Sequence, residues 1–265
     1  MLLVPGNHER ARVSHPLLAI EDGLHVFERP GTVIVTRRGV RAAFFGVPYT
    51  QDVRRRFVAL VDEARGRVIS AVGCDTDSAN DSAIGPADVR VLCVHHCVEG
   101  ATCGPGDFTF RRGPDVIRRR DLPADVVATL SGHIHRHQVL PVANRGPLIY
   151  AGSVERTSFA EASETKGFVV LDLTRDGLGA VAFHPLPARP MATVDVRFSD
   201  PDPAVVAAHL SASLAATPED AVVRVRVEGS WPSSLSAATL RRLAGARKMT
   251  LVSSRHGGEC AAAIT

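Results

Sequence analysis

Three short segments carry the residue types of a reactive site: Gly6-Asn7-His8-Glu9, His95-His96 and Gly132-His133-Ile134-His135. Each follows an apolar run, Leu2–Val4, Val89–Val94 and Asp125–Leu130 respectively. Imidazole nitrogens and the neutral side-chain oxygen of Asn7 are ligands for divalent cations. His8, beside Asn7, offers a proton donor. A phosphoester site needs both kinds of group: a metal pair clamps the phosphate and activates a water, and an acid helps the leaving oxygen depart. In extended chain residues i and i+2 share a face, which would put His133 and His135 side by side. Gly132 lets a neighbouring group come close. Taken singly, each segment also fits an ordinary turn or a structural histidine. All three, each at the end of an apolar strand, fit a site built along one edge of a sheet.

The elements needed to position them are legible as patterns. Extended segments are expected at 24–27, 32–36, 40–47, 89–94, 125–130, 147–153, 167–173 and 180–186. In 51–65 the stripe Val53, Phe57, Leu60, Val61 and Ala64 predicts an amphipathic helix. Residues 73–88 are small, polar and rich in Asp and Ser, as in a loop. After the Pro187–Pro190 linker the pattern becomes strand 193–198, helix 203–214, strand 221–227, helix 235–243 and strand 249–252. Two α/β domains are expected, 1–190 and 191–265, the second a small cap.

Composition sets bounds. The chain has 45% hydrophobic and 22% charged residues and a formal net charge of +3, too little to imply nucleic acid by itself. Arg54–Arg56 and Arg118–Arg120 read as solvated faces. No run approaches the ~18 apolar residues of a membrane span, and no secretory leader is recognisable. Five cysteines without a CxxC pair fit reduced thiols in a cytoplasm. A zinc site at Cys93 and Cys97 is disfavoured by their spacing.

Gly-Asn-His-Glu, a strand ending in His, and Gly-His-x-His resemble the later motifs of the calcineurin-like metallophosphoesterases. The stretch 149–173, "IYAGSVERTSFAEASETKGFVVLDL", is similar to the segment after the last metal motif in SbcD-type DNA repair nucleases, and the small cap matches that branch. The resemblance implies a β-sandwich flanked by helices, N-terminally incomplete here, with a C-terminal α/β capping domain. It implies two divalent metal ions, manganese foremost, with Asn7, His95 and His133 on one metal and His135 on the other. His8 would assist the leaving group. His96 is not expected as a ligand, and His137 is expected to be structural or on the surface. Arg156 would meet a phosphate backbone or pair with Glu161 to pin a loop. DNA is the expected substrate, and a coiled-coil SbcC-type ATPase and a second copy of the chain are the expected partners.

The family also uses Asp-x-His and Gly-Asp-x-x-Asp motifs ahead of Gly-Asn-His-Glu. They supply the remaining ligands and a bridging carboxylate, and they have no counterpart here. The expectation is therefore a mis-started or truncated chain with little activity of its own. The rivals are a phosphoesterase acting on a small nucleotide or phosphodiester, and a non-catalytic binding module.

Overall fold

The computed structural model describes residues 1–8, 23–72, 86–198, 202–229, 236–255 and 258–264. Glu9, and residues 73–85 of the expected loop, lie outside them. By internal contacts the chain divides into two compact units: Met1–Val154 with Glu164–Leu186, and Glu155–Ser163 with Pro187–Thr265. Residues 155–163 thus group with the second unit, although they precede the linker in sequence.

The first unit opens with short strands β1 (Leu2–Leu3) and β2 (His25–Val26), which pair in parallel. Then come β3 (Gly31–Arg37), β4 (Val40–Val47), helix α1 (Val53–Gly66), β5 (Val68–Val72) and β6 (Val89–Val94). Four two-residue strands follow: β7 (Cys97–Val98), β8 (Thr102–Cys103), β9 (Phe108–Thr109) and β10 (Val116–Ile117). The unit ends with β11 (Ala128–Ser131), β12 (Gln138–Leu140), β13 (Leu148–Tyr150), β14 (Lys166–Thr174) and β15 (Gly177–Leu186). A seven-stranded sheet runs in the order β12-β13-β11-β6-β4-β3-β5. Within it β4, β6, β11 and β13 are all parallel. Strands β14 and β15 form an antiparallel hairpin. Val169 and Leu171 of that hairpin line a cavity of about 290 Å³ together with Cys93, Leu130 and Ile149 of the sheet.

Helix α1 shows how the sequence pattern becomes packing. All five residues of the expected stripe are buried, in one cluster with Phe45, Val47, Leu92 and Val94 of the sheet. Burying such a face gives the helix most of its stability. Its start is tied down from outside: Asp115 Oδ1 accepts the Asp52 N–H at 2.6 Å, and Pro114 O accepts the Arg54 N–H at 2.8 Å. At its end Thr32 Oγ1 donates to Ala64 O at 2.7 Å, a last-turn carbonyl that the Arg67 N–H also reaches at 3.4 Å.

In the second unit β16 (Met191–Phe198), β17 (Val222–Gly229) and β18 (Lys248–Arg255) are parallel, and β19 (Gly258–Ile264) adds antiparallel to β18. Helices α2 (Pro203–Ala215) and α3 (Ala237–Ala244) connect the parallel strands. Both start with a side-chain cap, Asp202 accepting from Ala204 N–H and Ser236 from Thr239 N–H. Val206, Leu210 and Leu214 of α2 pack on Val194, Val223, Val225 and Met249. The protein is therefore mixed α/β, with one large sheet and three helices among the described residues. No helix among them is long and apolar enough to cross a membrane.

The sequence patterns did not mark the two-residue strands β7 to β10, the three-residue β12, or the longer β5 and β19. Val68–Val72 is a short apolar run whose periodicity cannot tell strand from helix end. Gly258–Ile264 is rich in alanine and lacks β-branched residues except at its end.

Phe57 is 1% exposed whereas Val58 beside it is 54% exposed. Phe57→Ala is expected to cost about 3–5 kcal/mol in urea unfolding. Val58→Ala should stay within roughly 0.5 kcal/mol of the parent.

Candidate functional site

Register puts the strand ends on one line. Val47 of β4 lies beside Val94 of β6, Val94 beside Ser131 of β11, and Ser131 beside Tyr150 of β13. The residues that follow these ends leave the sheet along one edge, where α/β sheets build sites. They are Pro48-Tyr49-Thr50, His95-His96, Gly132-His133 and Ala151-Gly152. The β1 exit, with Asn7 and His8, joins this edge where the Tyr49 N–H donates to Pro5 O at 3.0 Å.

Asn7, His95 and His133 come together. His133 Nδ1 donates to Asn7 Oδ1 at 3.2 Å. The His95 and His133 rings meet edge to face, with centroids 5.4 Å apart. A Cβ added to Gly132 would sit 2.7 Å from His95 Nδ1, so glycine is needed for the His95 ring to lie where it does. His8 is exposed. Burial, and then the charges of His135 and His8, lower the pKa of His133, while Asp115 opposes the shift. His133 is thus held neutral, with a lone pair on its unprotonated nitrogen.

The pleat argument for His133 and His135 does not hold. Strand β11 ends at Ser131, and His133 has φ 76°, in the left-handed region. A sharp turn, rather than alternation along a strand, sets these two imidazoles.

Tyr49 was not singled out by any sequence pattern. Its ring stacks on His96 at 5.3 Å and on His133 at 6.1 Å. A usable signal existed: Val47-Pro48-Tyr49 also follows an apolar strand. His96 is fully buried. Its Nε2 faces the Thr50 N–H at 3.0 Å and Thr50 O at 3.2 Å. Its Nδ1 has no hydrogen-bonding partner among the described residues. Burial is the main cause that lowers its pKa to about 4. His137 donates through Nδ1 to Tyr150 O at 2.9 Å and stacks on Phe183 at 4.2 Å.

Arg156 belongs to the second unit. Its Nη1 donates to Arg189 O at 2.8 Å and to Ala188 O at 3.4 Å, which fastens the linker. Glu161 accepts from Thr157 Oγ1 at 2.7 Å and Ser158 Oγ at 3.2 Å. Arg118 pairs with Asp121, and Arg54 with Glu99, so those arginines have structural partners.

Two ligands in adjacent octahedral positions about 2.1 Å from a small divalent cation lie roughly 3 Å apart. The 3.2 Å separation of Asn7 Oδ1 and His133 Nδ1 meets that requirement, with a metal in place of the shared proton. Among the described residues no three His, Cys, Asp or Glu side chains form a group that could hold a metal. Asp115, whose charge reaches His96 and His133, is occupied at the start of α1. Burial pushes the Cys93 and Cys97 thiols up to about 12, which disfavours the thiolates that zinc would need. Asn7 and His133 therefore fit as two neutral donors of one metal position, without a carboxylate from the described residues.

In comparisons with known proteins, no family model and no curated protein matches the chain.

His96 supplies a pH prediction. Its folded pKa of about 4 lies below its ordinary 6.5, so between these values the unfolded chain binds the extra proton. Stability is then full above about 6.5 and falls as pH drops toward about 4, by roughly 3 kcal/mol in all. In chelator-treated protein the melting temperature should fall over that window, and His96→Gln should flatten the slope. An unchanged slope would show that other groups govern the acid sensitivity.

Proposed function

We propose that the chain is the metal-binding core of a phosphodiester hydrolase acting on DNA. In this reading the seven-stranded sheet and the β14–β15 hairpin are parts of a calcineurin-like metallophosphoesterase sandwich of the SbcD type, and the second unit is its cap. The observation that carries the proposal is the convergence of Asn7 Oδ1, His133 Nδ1 and the His95 ring where parallel strands end together.

Asn7, His95 and His133 would hold one divalent cation and His135 a second. Manganese suits a mixed oxygen and imidazole donor set completed by carboxylates. Such ions, when bound, polarise a phosphate oxygen and lower the pKa of a bound water. The chain's own residues do the rest. His133, kept neutral, presents Nδ1 to a metal once the proton it shares with Asn7 Oδ1 moves to Nε2. Tyr49 walls the cluster on the β4 side and limits how the His133 ring turns. His8, exposed beside Asn7, would donate a proton to the departing oxygen. Cys93, Cys97 and Cys103 are free thiols, in accord with a cytoplasmic setting.

A second reading has its own support. With no carboxylate from the described residues to offset a dication, the same pocket would bind metal weakly, and the chain would serve as a binding module rather than an enzyme. The difference is measurable with the chain as it stands. Mn²⁺ binding followed by electron paramagnetic resonance should weaken more than about tenfold in Asn7→Ala and His133→Ala, and should persist in His8→Ala. Mn²⁺-dependent cleavage of linear DNA should drop roughly 10²–10⁴-fold in His8→Ala. Binding indifferent to His133→Ala would refute the ligand assignment. DNA binding with no cleavage at saturating Mn²⁺ would establish the binding module.

A further inference from the structure

The turn that carries His135 is gripped by charges outside the imidazole cluster. Lys166, the first residue of β14, has a completely buried side chain. An ammonium is costly to bury unless it is paired and hydrogen-bonded. Here Nζ donates to Glu164 Oε2 at 3.0 Å and to the main-chain oxygen of His135 at 2.9 Å. The same oxygen accepts the Ser153 N–H at 3.1 Å. Glu164 is shared, because its Oε1 accepts from Arg136 Nε at 3.0 Å. Arg136 in turn donates to Asp107 Oδ1 at 2.5 Å and to Gly104 O at 2.6 Å. Beneath the turn lies Gly152, with φ 84°, where a Cβ would come within 3.0 Å of His135 O and 2.9 Å of His137 N.

The His135 peptide therefore sits in a fitted cradle. Two donors fix its carbonyl from different directions, and the next residue is anchored through its guanidinium to two other segments. A buried ion pair adds little net stability compared with apolar side chains of the same volume, and its best-supported use is to select one geometry. A charge-assisted bond to a carbonyl is stronger and more directional than a neutral one. The grip acts one bond away from the Cα that carries the imidazole.

We propose that Lys166, working with Glu164, is a positioning residue for His135: it fixes the His135 carbonyl and so the direction in which that imidazole leaves the turn. The inference rests on the metal-ligand role given to His135 above. Its structural half can be tested without metal.

The probes are the His135 Cε1–H resonance of the metal-free chain, assigned with His135→Gln, and Mn²⁺ affinity of the same protein. Lys166→Met keeps the length and volume of the side chain and removes the charge. The His135 resonance should shift and broaden, the His25 resonance on β2 should stay where it is, and Mn²⁺ affinity should fall by about 10–100-fold, as for loss of a group that orients a ligand. Circular dichroism reports whether the variant is folded. If Lys166→Met does not fold, Glu164→Gln carries both readouts, since it removes the opposing charge and leaves one acceptor oxygen where Arg136 and Lys166 had two. An unmoved His135 resonance and unchanged Mn²⁺ affinity in a folded variant would overturn the positioning role. A wild-type chain that binds no Mn²⁺, but whose His135 resonance still moves on substitution, would overturn the metal reading and leave the positioning role standing.

Discussion

The main-chain oxygen of His96 holds the site edge together. It accepts from Ser131 Oγ at 2.8 Å and from Tyr150 Oη at 3.0 Å. The chain must turn sharply after β6, and it does so in a buried place where an unpaired carbonyl would be costly. The two hydroxyls that satisfy it come from the ends of the next two parallel strands. Tyr150 Oη also accepts the Val98 N–H at 2.9 Å, so one phenol pairs two successive turn segments. Its pKa is raised, chiefly by burial, which keeps the proton on the oxygen that must donate. Three strand ends are thereby fixed relative to one another before any imidazole is placed. His95 projects from the same turn.

Around this knot the imidazoles are crowded, and the charge of Asp115 reaches His96 and His133. His96 and His133 are both depressed by burial, and His96 is lowered further by its neighbours His95 and His133. Neutral rings pack where charged ones would repel. Tyr49 stacks on both His96 and His133, and His133 pairs with Asn7. Two histidines that look alike in sequence thus have different environments: His96 is sealed in the core, and His95 is partly exposed beside Gly132.

How much of this was legible follows from the range of each interaction. The α1 stripe was readable because helix burial repeats with a local period, and the five residues expected are the five that are buried. The parallel strands were readable as apolar runs, and the residues leaving them as a candidate site. What sequence spacing could not give was pairing. Tyr49 meets His133 across 84 residues of chain, and Lys166 meets His135 from the far hairpin. Neither shares a local period with its partner. The His133–His135 pleat argument failed for a related reason: it assumed that β11 continued, whereas the chain turns two residues after Ser131.

The turn at His133 explains an otherwise odd choice of residues. A left-handed φ favours glycine, and a side chain there costs about 1 kcal/mol or more. The chain has its glycine one position earlier, at 132, where φ is not in the left-handed range but a Cβ would collide with His95. Exchanging the two roles would relieve the backbone, yet it would remove one imidazole and displace the other. The strain at His133 is held in place by its surroundings. Asn7 Oδ1 takes its Nδ1–H, Ile134 is 4% exposed in the core, and the His135 carbonyl is pinned by Ser153 and Lys166. A backbone strained at one residue and fixed on both sides of it is what preorganising a side chain requires. Here that side chain is the one whose nitrogen lies within ligand spacing of a second donor.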